Sequence, residues 1–262
     1  MPFRDFRISS VTGTLLFTIS YVPVRSARLY YMTALLSQSM SLFNARFYDF
    51  MVHLPDEKDS LALFVSAAKE FGYSGIAALN LKKNRTDMNQ LPEDFSLYSA
   101  VEVSGKPSKL RDEIKKYRDT SDILIARGRG EEVARAAVET ERLDILLQPV
   151  KFNNVLGKIA SDNSIALGFN TGSIIHTRGE ARVRELKIMR TNLKYARKYD
   201  LQMVLTCEPY SPYDFRSPRE MAALGGLFGM SPKEAVEAMS AVPLDIIRKK
   251  SAVYIQEGVE II

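Results

Sequence analysis

Two short apolar runs, Ile165-Ala166-Leu167-Gly168-Phe169 and Met203-Val204-Leu205-Thr206-Cys207, stand on either side of a segment with helical periodicity, Glu180 to Tyr199. The apolar side chains of that segment form one stripe, and they are Val183, Leu186, Met189, Leu193 and Ala196. An amphipathic helix between two short apolar runs is typical of a β–α–β unit whose parallel strands are buried on both faces. This stretch therefore predicts an α/β fold.

The same alternation extends back along the chain to Phe47. The seven candidate strands are Phe47 to His53, Gly75 to Leu81, Leu97 to Val103, Asp122 to Ala126, Asp144 to Val150, Ile165 to Phe169 and Met203 to Cys207. The helical segments between them are Ser60 to Phe71, Ser108 to Tyr117, Glu131 to Arg142, Asn154 to Ser161 and Glu180 to Tyr199. Ala252 to Ile255 is the one candidate for an eighth strand. Seven or eight mostly parallel strands ringed by helices favour a TIM-barrel-like fold over an open sheet, which usually has five or six strands.

Two helix starts are marked near the C-terminus. Ser217-Pro218-Arg219-Glu220 and Ser231-Pro232-Lys233-Glu234 each place Ser at the N-cap, Pro at the first helical position and Glu where a capping box needs it. We therefore expect the chain to finish in helices.

Residues 1–45 differ in character from the rest of the chain. Their apolar residues are interrupted by Pro23, Arg25 and Arg28, so they lack the ~18 uninterrupted apolar residues of a membrane span and a convincing signal peptide. We expect an N-terminal appendage over residues 1–45, either disordered or a misassigned start with translation beginning at Met40. A single barrel-like domain would then occupy residues 46–262.

Composition limits the chemistry of this chain. Among its 262 residues are one cysteine, Cys207, and two histidines, His53 and His176, which exclude an internal disulfide and are too few for most zinc or iron sites. We interpret the chain as a cytoplasmic protein. Lysine and arginine number 36 against 31 acidic residues, but the excess is local: residues 151–200 hold ten basic residues and four acidic ones. A local basic surface suits an anionic partner.

Functional side chains of a barrel follow the carboxyl ends of its strands, where cations and amides dominate in this sequence. These residues are Lys82, Lys83, Arg85, Arg127, Arg129, Lys151, Asn153, His176, Arg178, Arg216 and Arg219. Because arginine can clamp phosphate oxygens in bidentate fashion, we expect a rim that contacts phosphate groups. The competing interpretation is that loops of any soluble protein are charged.

The sequence offers few combinations of residues that could form a catalytic site. Asp49 and His53 fall on one side of the first strand by alternation, and with Glu102 and Glu208 they could form a four-ligand metal site, although metal hydrolases generally need several histidines. Cys207 is more simply a small core residue than a nucleophile. We predict no catalytic residue, no metal and no cofactor held by this chain. Two alternatives stay open: a stand-alone metal-dependent phosphoesterase, and a metabolic barrel enzyme that binds a phosphorylated small molecule.

Several separate blocks of the sequence match one family in order. They are Ile165 to Phe169, the basic helix after it, Asp214-Phe215-Arg216-Ser217-Pro218-Arg219-Glu220, Leu224-Gly225 and Gly229-Met230. These blocks resemble ribonuclease P protein component 3 of archaea. The resemblance is densest over residues 165–250 and extends more loosely back to about Phe47.

The resemblance implies a barrel-like subunit of the ribonucleoprotein that removes the 5′ leader from precursor tRNA, in which the RNA supplies the active site. The implied partners are ribonuclease P RNA, other protein subunits including a small direct partner, and precursor tRNA, with no membrane. With this resemblance, the cationic rim is expected to bind RNA along the phosphates of the ribonuclease P RNA. Magnesium is expected for the holoenzyme. The family is similar in fold to the PHP phosphoesterases, whose first strand ends in a His-x-His pair. Asp49-Phe50-Met51-Val52-His53 lacks that pair, which agrees with the absence of metal chemistry expected above.

Overall fold

The computed structural model describes residues 43–55, 60–79, 81 and 91–250, together with the backbone of four short strands near the two ends of the chain. The chain divides into two compact units, residues 1–44 and 45–262. In the first unit, Asp5–Val11 and Thr14–Ser20 pair as antiparallel strands.

Seven parallel strands form the central sheet of the second unit. They are β1 (Tyr48–His53), β2 (Gly75–Leu79), β3 (Ser96–Val103), β4 (Ile123–Arg127), β5 (Ile145–Leu147), β6 (Ala166–Asn170) and β7 (Met203–Thr206). Each strand is hydrogen-bonded to the next in sequence order. Parallel strands in this order curl into a nearly closed barrel, so the predicted TIM-barrel-like fold is confirmed.

Helices follow the strands and surround the barrel. They are α1 (Ser60–Glu70), α2 (Pro107–Arg118), α3 (Glu131–Val138), α4 (Asn154–Asp162), α5 (Gly172–His176), α6 (Gly179–Lys198), α7 (Pro218–Gly226), α8 (Pro232–Met239) and α9 (Ala241–Lys250). Both predicted capping boxes are present, at Ser217 with Glu220 and at Ser231 with Glu234. None of the helices within the described ranges has the length and apolar character needed to cross a membrane.

The barrel core takes alternate side chains from the strands, as inward-facing positions require. Ile123 and Ile125 of β4 and Ile145 and Leu147 of β5 are examples, and all four are buried. Ile246 of α9 packs against the same core. Ala252 and Val253 of the candidate eighth strand lie outside the described residues, and Tyr254–Gln256 pairs antiparallel with Val259–Glu260 in a separate sheet.

A buried carboxylate joins β1 to β7, which are not neighbours in the hydrogen-bonded order of the described strands. Asp49 accepts a hydrogen bond from the Thr206 hydroxyl at 2.6 Å and another from the Cys207 amide at 3.0 Å. Burial raises the pKa of Asp49, and these bonds act against that rise. One backbone hydrogen bond, from the His53 amide to the Pro209 carbonyl at 2.9 Å, joins the end of β1 to the loop after β7. We call this junction the β1–β7 seam. The barrel is therefore closed here mainly by a side chain.

Candidate functional site

The carboxyl ends of three strands and the loop after β7 bring five polar side chains together in the mouth of the barrel. We call this group the Arg127 cluster, and it consists of His53, Glu102, Arg127, Glu208 and Tyr210. Parallel strands end at one edge of their sheet, so residues far apart in sequence meet there.

Arg127, the last residue of β4, lies between two carboxylates. Its Nε and Nη2 atoms donate to the two Glu102 oxygens at 2.8 and 3.0 Å, in bidentate geometry. Its Nη1 donates to Glu208 Oε2 at 3.3 Å, and its Nη2 also donates to Glu208 Oε1. Burial alone would lower the pKa of Arg127, but the bonds and negative charges of both glutamates raise it above its ordinary value. The guanidinium is therefore a fixed cation.

Glu208 collects donors from several directions. His53 Nε2 lies 3.1 Å from its Oε1, the Tyr210 hydroxyl donates to Oε1 at 3.2 Å, and Asn170 Nδ2 donates to Oε2. Burial alone would raise the pKa of Glu208, but the bonds from His53 and Arg127 and their charges lower it to about 2. Glu208 is therefore an anion across the physiological pH range.

Left-handed backbone turns aim two side chains back over the barrel mouth. Glu208 has φ of +49° and Gln148, directly after β5, has φ of +42°, a region that residues other than glycine rarely adopt. The Glu208 amide donates to the Thr206 hydroxyl at 2.8 Å, which holds its turn. Gln148 accepts from the Asn170 amide at 3.2 Å and donates to Ser173 at 3.1 Å. Such strained positions concentrate at functional sites.

Three of the four residues that could have formed a metal site are brought together. His53, Glu102 and Glu208 each offer a ligand atom, and these atoms lie within 4.8 Å of one another. Arg127 makes hydrogen bonds to both glutamates, so a divalent cation would have to displace the guanidinium. The set of donors therefore fits an internal arginine better than an additional cation.

Asp49, the fourth residue of that set, lies in the β1–β7 seam instead. The expectation that Asp49 and His53 share a side of the first strand was wrong, because the pairing of β1 with β2 shifts register between Asp49 and Val52. An extra residue at such an irregularity reverses the alternation beyond it. Cys207 is buried, and burial raises the pKa of its thiol, which suits the core role expected for it.

The cationic residues predicted for the rim differ in their exposure and in the contacts they already make. Arg129, Lys151, His176, Arg178 and Arg219 are exposed. Lys82, Lys83 and Arg85 lie outside the described residues. Arg127 stays a predicted RNA contact, but its guanidinium already binds two carboxylates.

Two rim residues also have local structural roles. Asn153 caps α4, because its Oδ1 accepts from the Val155 and Leu156 amides at 3.0 and 3.1 Å. The Arg216 guanidinium donates to the carbonyls of Tyr213 and Phe215 at 2.9 and 2.6 Å. Neither role excludes a contact with RNA.

Tyr210 belongs to the cluster but was not predicted from the sequence. Its ring stacks on His53, with ring centroids 3.9 Å apart and planes 11° from parallel. Burial raises the pKa of Tyr210, and Glu208 raises it further, so its hydroxyl remains a donor. The sequence does place Tyr210 two positions after Glu208, which follows the last predicted strand. Because tyrosine is uncharged, it was not among the charged and amide side chains predicted at strand ends.

Comparisons with known proteins support one family. The family described as RNase P subunit p30 matches residues 46–253. Ribonuclease P protein component 3 of Methanosarcina acetivorans is 41% identical over 229 residues, covering 83% of this chain and 96% of the relative. The protein of the same name from Methanococcoides burtonii is 40% identical over 231 residues, covering 82% of this chain and 93% of the relative.

Solved structures show the same fold. A chain in the cryo-EM structure of archaeal Ribonuclease P with mature tRNA superposes with a TM-score of 0.66 at 24% identity, covering 81% of this chain and 97% of that chain. Ochratoxinase of A. niger superposes with a TM-score of 0.56 at 13% identity, covering 82% and 75%. At these identities the likeness concerns the fold. With the family match over residues 46–253 and relatives near 40% identity, this chain belongs to the RNase P subunit p30 family.

Proposed function

We propose that this chain is a protein subunit of ribonuclease P, the ribonucleoprotein endonuclease that cleaves the 5′ leader from precursor tRNA. The observation that carries the proposal is the similarity to ribonuclease P protein component 3 of Methanosarcina acetivorans, which extends over 96% of that relative. Its partners are ribonuclease P RNA, other protein subunits of the particle, among them a small direct partner, and precursor tRNA within the complex. The subunit acts in the cytoplasm.

The chain contributes no active site of its own. Arg127 occupies the carboxylates of the acid–histidine set in the barrel mouth, and Asp49 makes its hydrogen bonds in the β1–β7 seam instead. This arrangement gives no support to a stand-alone phosphoesterase. Magnesium serves the RNA-based holoenzyme, and this chain holds no cofactor.

The chain supports the catalytic RNA through contacts with backbone phosphates. Exposed cations at the carboxyl edge of the barrel, including Arg129, Lys151 and Arg178, would each meet a phosphate and release bound counterions. Such contacts hold the RNA in its active shape without selecting a cleavage position. We therefore expect this surface to affect assembly more than the site of cleavage.

Reconstitution with and without the chain tests the proposal directly. Ribonuclease P RNA and the other subunits are combined, and leader removal from precursor tRNA is measured across magnesium and salt concentrations. The expected result is a loss of activity at low magnesium or high salt when the chain is omitted. Unchanged activity under every condition would contradict the proposed function.

A single substitution tests the phosphate surface. Arg178→Ala removes an exposed cation at the start of α6, and the logarithmic salt dependence of RNA binding should become shallower by about one ion. Lys109→Ala, at an exposed position of α2, is the matched control and should leave the slope unchanged. Equal slopes for Arg178→Ala and the unaltered chain would remove Arg178 from this surface.

A further inference from the structure

The loop after β7 presents two tyrosine rings beside the barrel mouth. Tyr210 is 60% exposed and Tyr213 is 87% exposed, and they are the aromatic members of the exposed large apolar residues in the described ranges. We call residues 209–216 the tyrosine loop. Aromatic rings are normally buried because of their apolar surface, so two exposed rings three residues apart are a candidate binding surface.

Hydrogen bonds fix the backbone of the tyrosine loop. Asp214 Oδ2 accepts from the amides of Tyr210 and Ser211 at 3.1 and 2.8 Å, and from the Ser211 hydroxyl at 3.0 Å. The Arg216 guanidinium donates to the Tyr213 carbonyl at 2.9 Å. Phe215 is fully buried and anchors the loop in the core. These contacts fix the backbone that carries Tyr213, while its ring stays exposed to solvent.

The ring of Tyr210 is held at both its face and its hydroxyl. One face stacks on His53 at a centroid distance of 3.9 Å, and the hydroxyl donates to Glu208 at 3.2 Å. Because 60% of the residue is nevertheless exposed, the face turned away from His53 is open to solvent. A ring fixed in this way loses little conformational freedom when a planar group stacks on it.

The loop and the Arg127 cluster carry charges of both signs, and the one acid of the loop, Asp214, has its Oδ2 occupied by hydrogen bonds from Tyr210 and Ser211. Glu102 and Glu208 lie beneath Tyr210, and Arg127 forms ion pairs with both of them. Arg216 adds a positive charge within the loop itself. A planar apolar surface next to a fixed cation matches the base and the phosphate of a nucleotide.

We propose that the tyrosine loop binds unpaired nucleobases of RNA, which stack on Tyr210 and Tyr213 while Arg216 lies toward the phosphate backbone. The inference rests on the proposed function, since it assumes a chain that meets RNA within ribonuclease P. Proteins that read single-stranded RNA commonly stack splayed bases on aromatic side chains, whereas the bases of a duplex have no free face. Unpaired bases of ribonuclease P RNA and of precursor tRNA share this chemistry.

The absence of tryptophan from the sequence makes a fluorescence test available. Tyr213→Trp gives a protein with a single tryptophan, whose emission should be quenched when a base stacks on it. In the complex reconstituted with the other protein subunits, ribonuclease P RNA and precursor tRNA are added in separate titrations, and a fully paired RNA duplex is the reference. Quenching by either natural RNA but not by the duplex is the expected result, and the RNA that produces it identifies the source of the bases.

A second reporter controls for non-specific effects. Leu63→Trp places the single tryptophan at an exposed position of α1, where Leu63 is 63% exposed, and it should not be quenched. Equal quenching of both reporters would overturn the inference. A change in the emission of the Tyr213→Trp variant on adding the protein subunits without RNA would also overturn it, because the loop would then be a protein interface.

Measurements of RNA affinity distinguish the contribution of the planar ring of Tyr213 from that of an apolar side chain in general. Tyr213→Leu keeps an apolar side chain but removes the planar ring, and RNA affinity in the reconstituted complex should fall at least about fivefold. Tyr213→Phe keeps the ring and should bind nearly as well as the unaltered chain. If the chain is required for leader removal but Tyr213→Leu and Tyr210→Leu bind with unchanged affinity, this inference fails while the proposed function stands. If the chain is dispensable, the proposed function fails.

Discussion

Replacing Arg127 by methionine would remove the cation that two glutamates share. The side chains of Arg127 and Glu208 are only 17% and 6% exposed, so the variant leaves a buried carboxylate without its main counter-charge. Methionine has a long unbranched side chain, somewhat shorter than that of arginine, and brings no charge. We expect Arg127→Met to fold into the same barrel with a markedly lower free energy of unfolding.

The size of the loss follows from the pKa of Glu208, which is about 2 in the folded chain against an ordinary value of 4.5. That lowering of the pKa contributes roughly 3 kcal/mol to the free energy of unfolding at any pH above both pKa values. The bond from His53 is the largest lowering contribution, and the bond and charge of Arg127 come next, so Arg127 accounts for only part of this free energy. With the loss of its bonds to Glu102, we expect a total cost of about 2–3 kcal/mol.

The cost should depend on pH with a defined sign. Because the folded pKa of Glu208 lies below the unfolded value, its ion pair stabilises the fold fully above about pH 5 and the stabilisation is lost as the pH falls toward 2. The difference in stability between Arg127→Met and the unaltered chain should therefore shrink from about pH 5 to about pH 3.

Urea denaturation followed by circular dichroism measures these differences. Arg111→Met is the matched control, because Arg111 pairs with Glu139 at 3.0 Å on the surface with 57% of its side chain exposed, and it should cost about 0.5 kcal/mol or less. Glu208→Gln combined with Arg127→Met should restore part of the loss, since the buried charge of Glu208 is then removed as well. The reasoning is refuted if Arg127→Met costs no more than Arg111→Met, or if its cost is the same at both ends of the pH range.

Three further predictions concern the β1–β7 seam, the packing around two glycines and metal binding by the Arg127 cluster. Asp49→Asn replaces one carboxylate oxygen with an amide donor, which must then oppose either the Thr206 hydroxyl or the Cys207 amide. We expect the free energy of unfolding in urea to fall by about 1–3 kcal/mol, and no loss would mean that the seam does not depend on the carboxylate. Gly172→Ala would place a Cβ against the Cys207 carbonyl oxygen and should lower the free energy of unfolding by about 1–3 kcal/mol. A Cβ at Gly226 meets no atom within 4 Å, so Gly226→Ala should be neutral or stabilising by about 0.5 kcal/mol. Thermal unfolding measures both variants, and equal effects would contradict the packing argument. Arg127→Met should gain stability from added zinc, because three ligand atoms then face one another without the guanidinium, while the melting temperature of the unaltered chain should not change; an equal shift in both would show binding elsewhere.

Much of the barrel was predictable because its strands are short runs of buried apolar residues. The predicted strand Asp122 to Ala126 and the observed Ile123–Arg127 differ by one residue at each end. The predicted Asp144 to Val150 is longer than the observed Ile145–Leu147, because Gln148 adopts a left-handed conformation and Pro149 cannot donate to a ladder. Such a turn depends on tertiary hydrogen bonds that alternation does not reveal.

The site was harder to predict than the fold. The sequence places Arg127 at a strand end, but it does not show that Glu102 and Glu208, which are distant from each other in sequence, converge on the guanidinium. Asp49 illustrates the same difficulty, since a single register shift in β1 moves it from the barrel mouth to the seam. Tyr210 was missed because its role depends on a stack with His53, which lies 157 residues earlier in the sequence.

The seam between β1 and β7 also bears on aggregation. A sheet whose first and last strands lack a full ladder has two edges that could recruit strands of another chain while the barrel is incompletely formed. A buried acidic residue at such an edge protects it, because a foreign strand that pairs there would separate the acid from its own hydrogen-bond donors. Asp49 accepts its hydrogen bonds from Thr206, Cys207 and Met51 of the same chain. We therefore expect the residue that links the two edges of the barrel also to disfavour pairing with a strand of another chain.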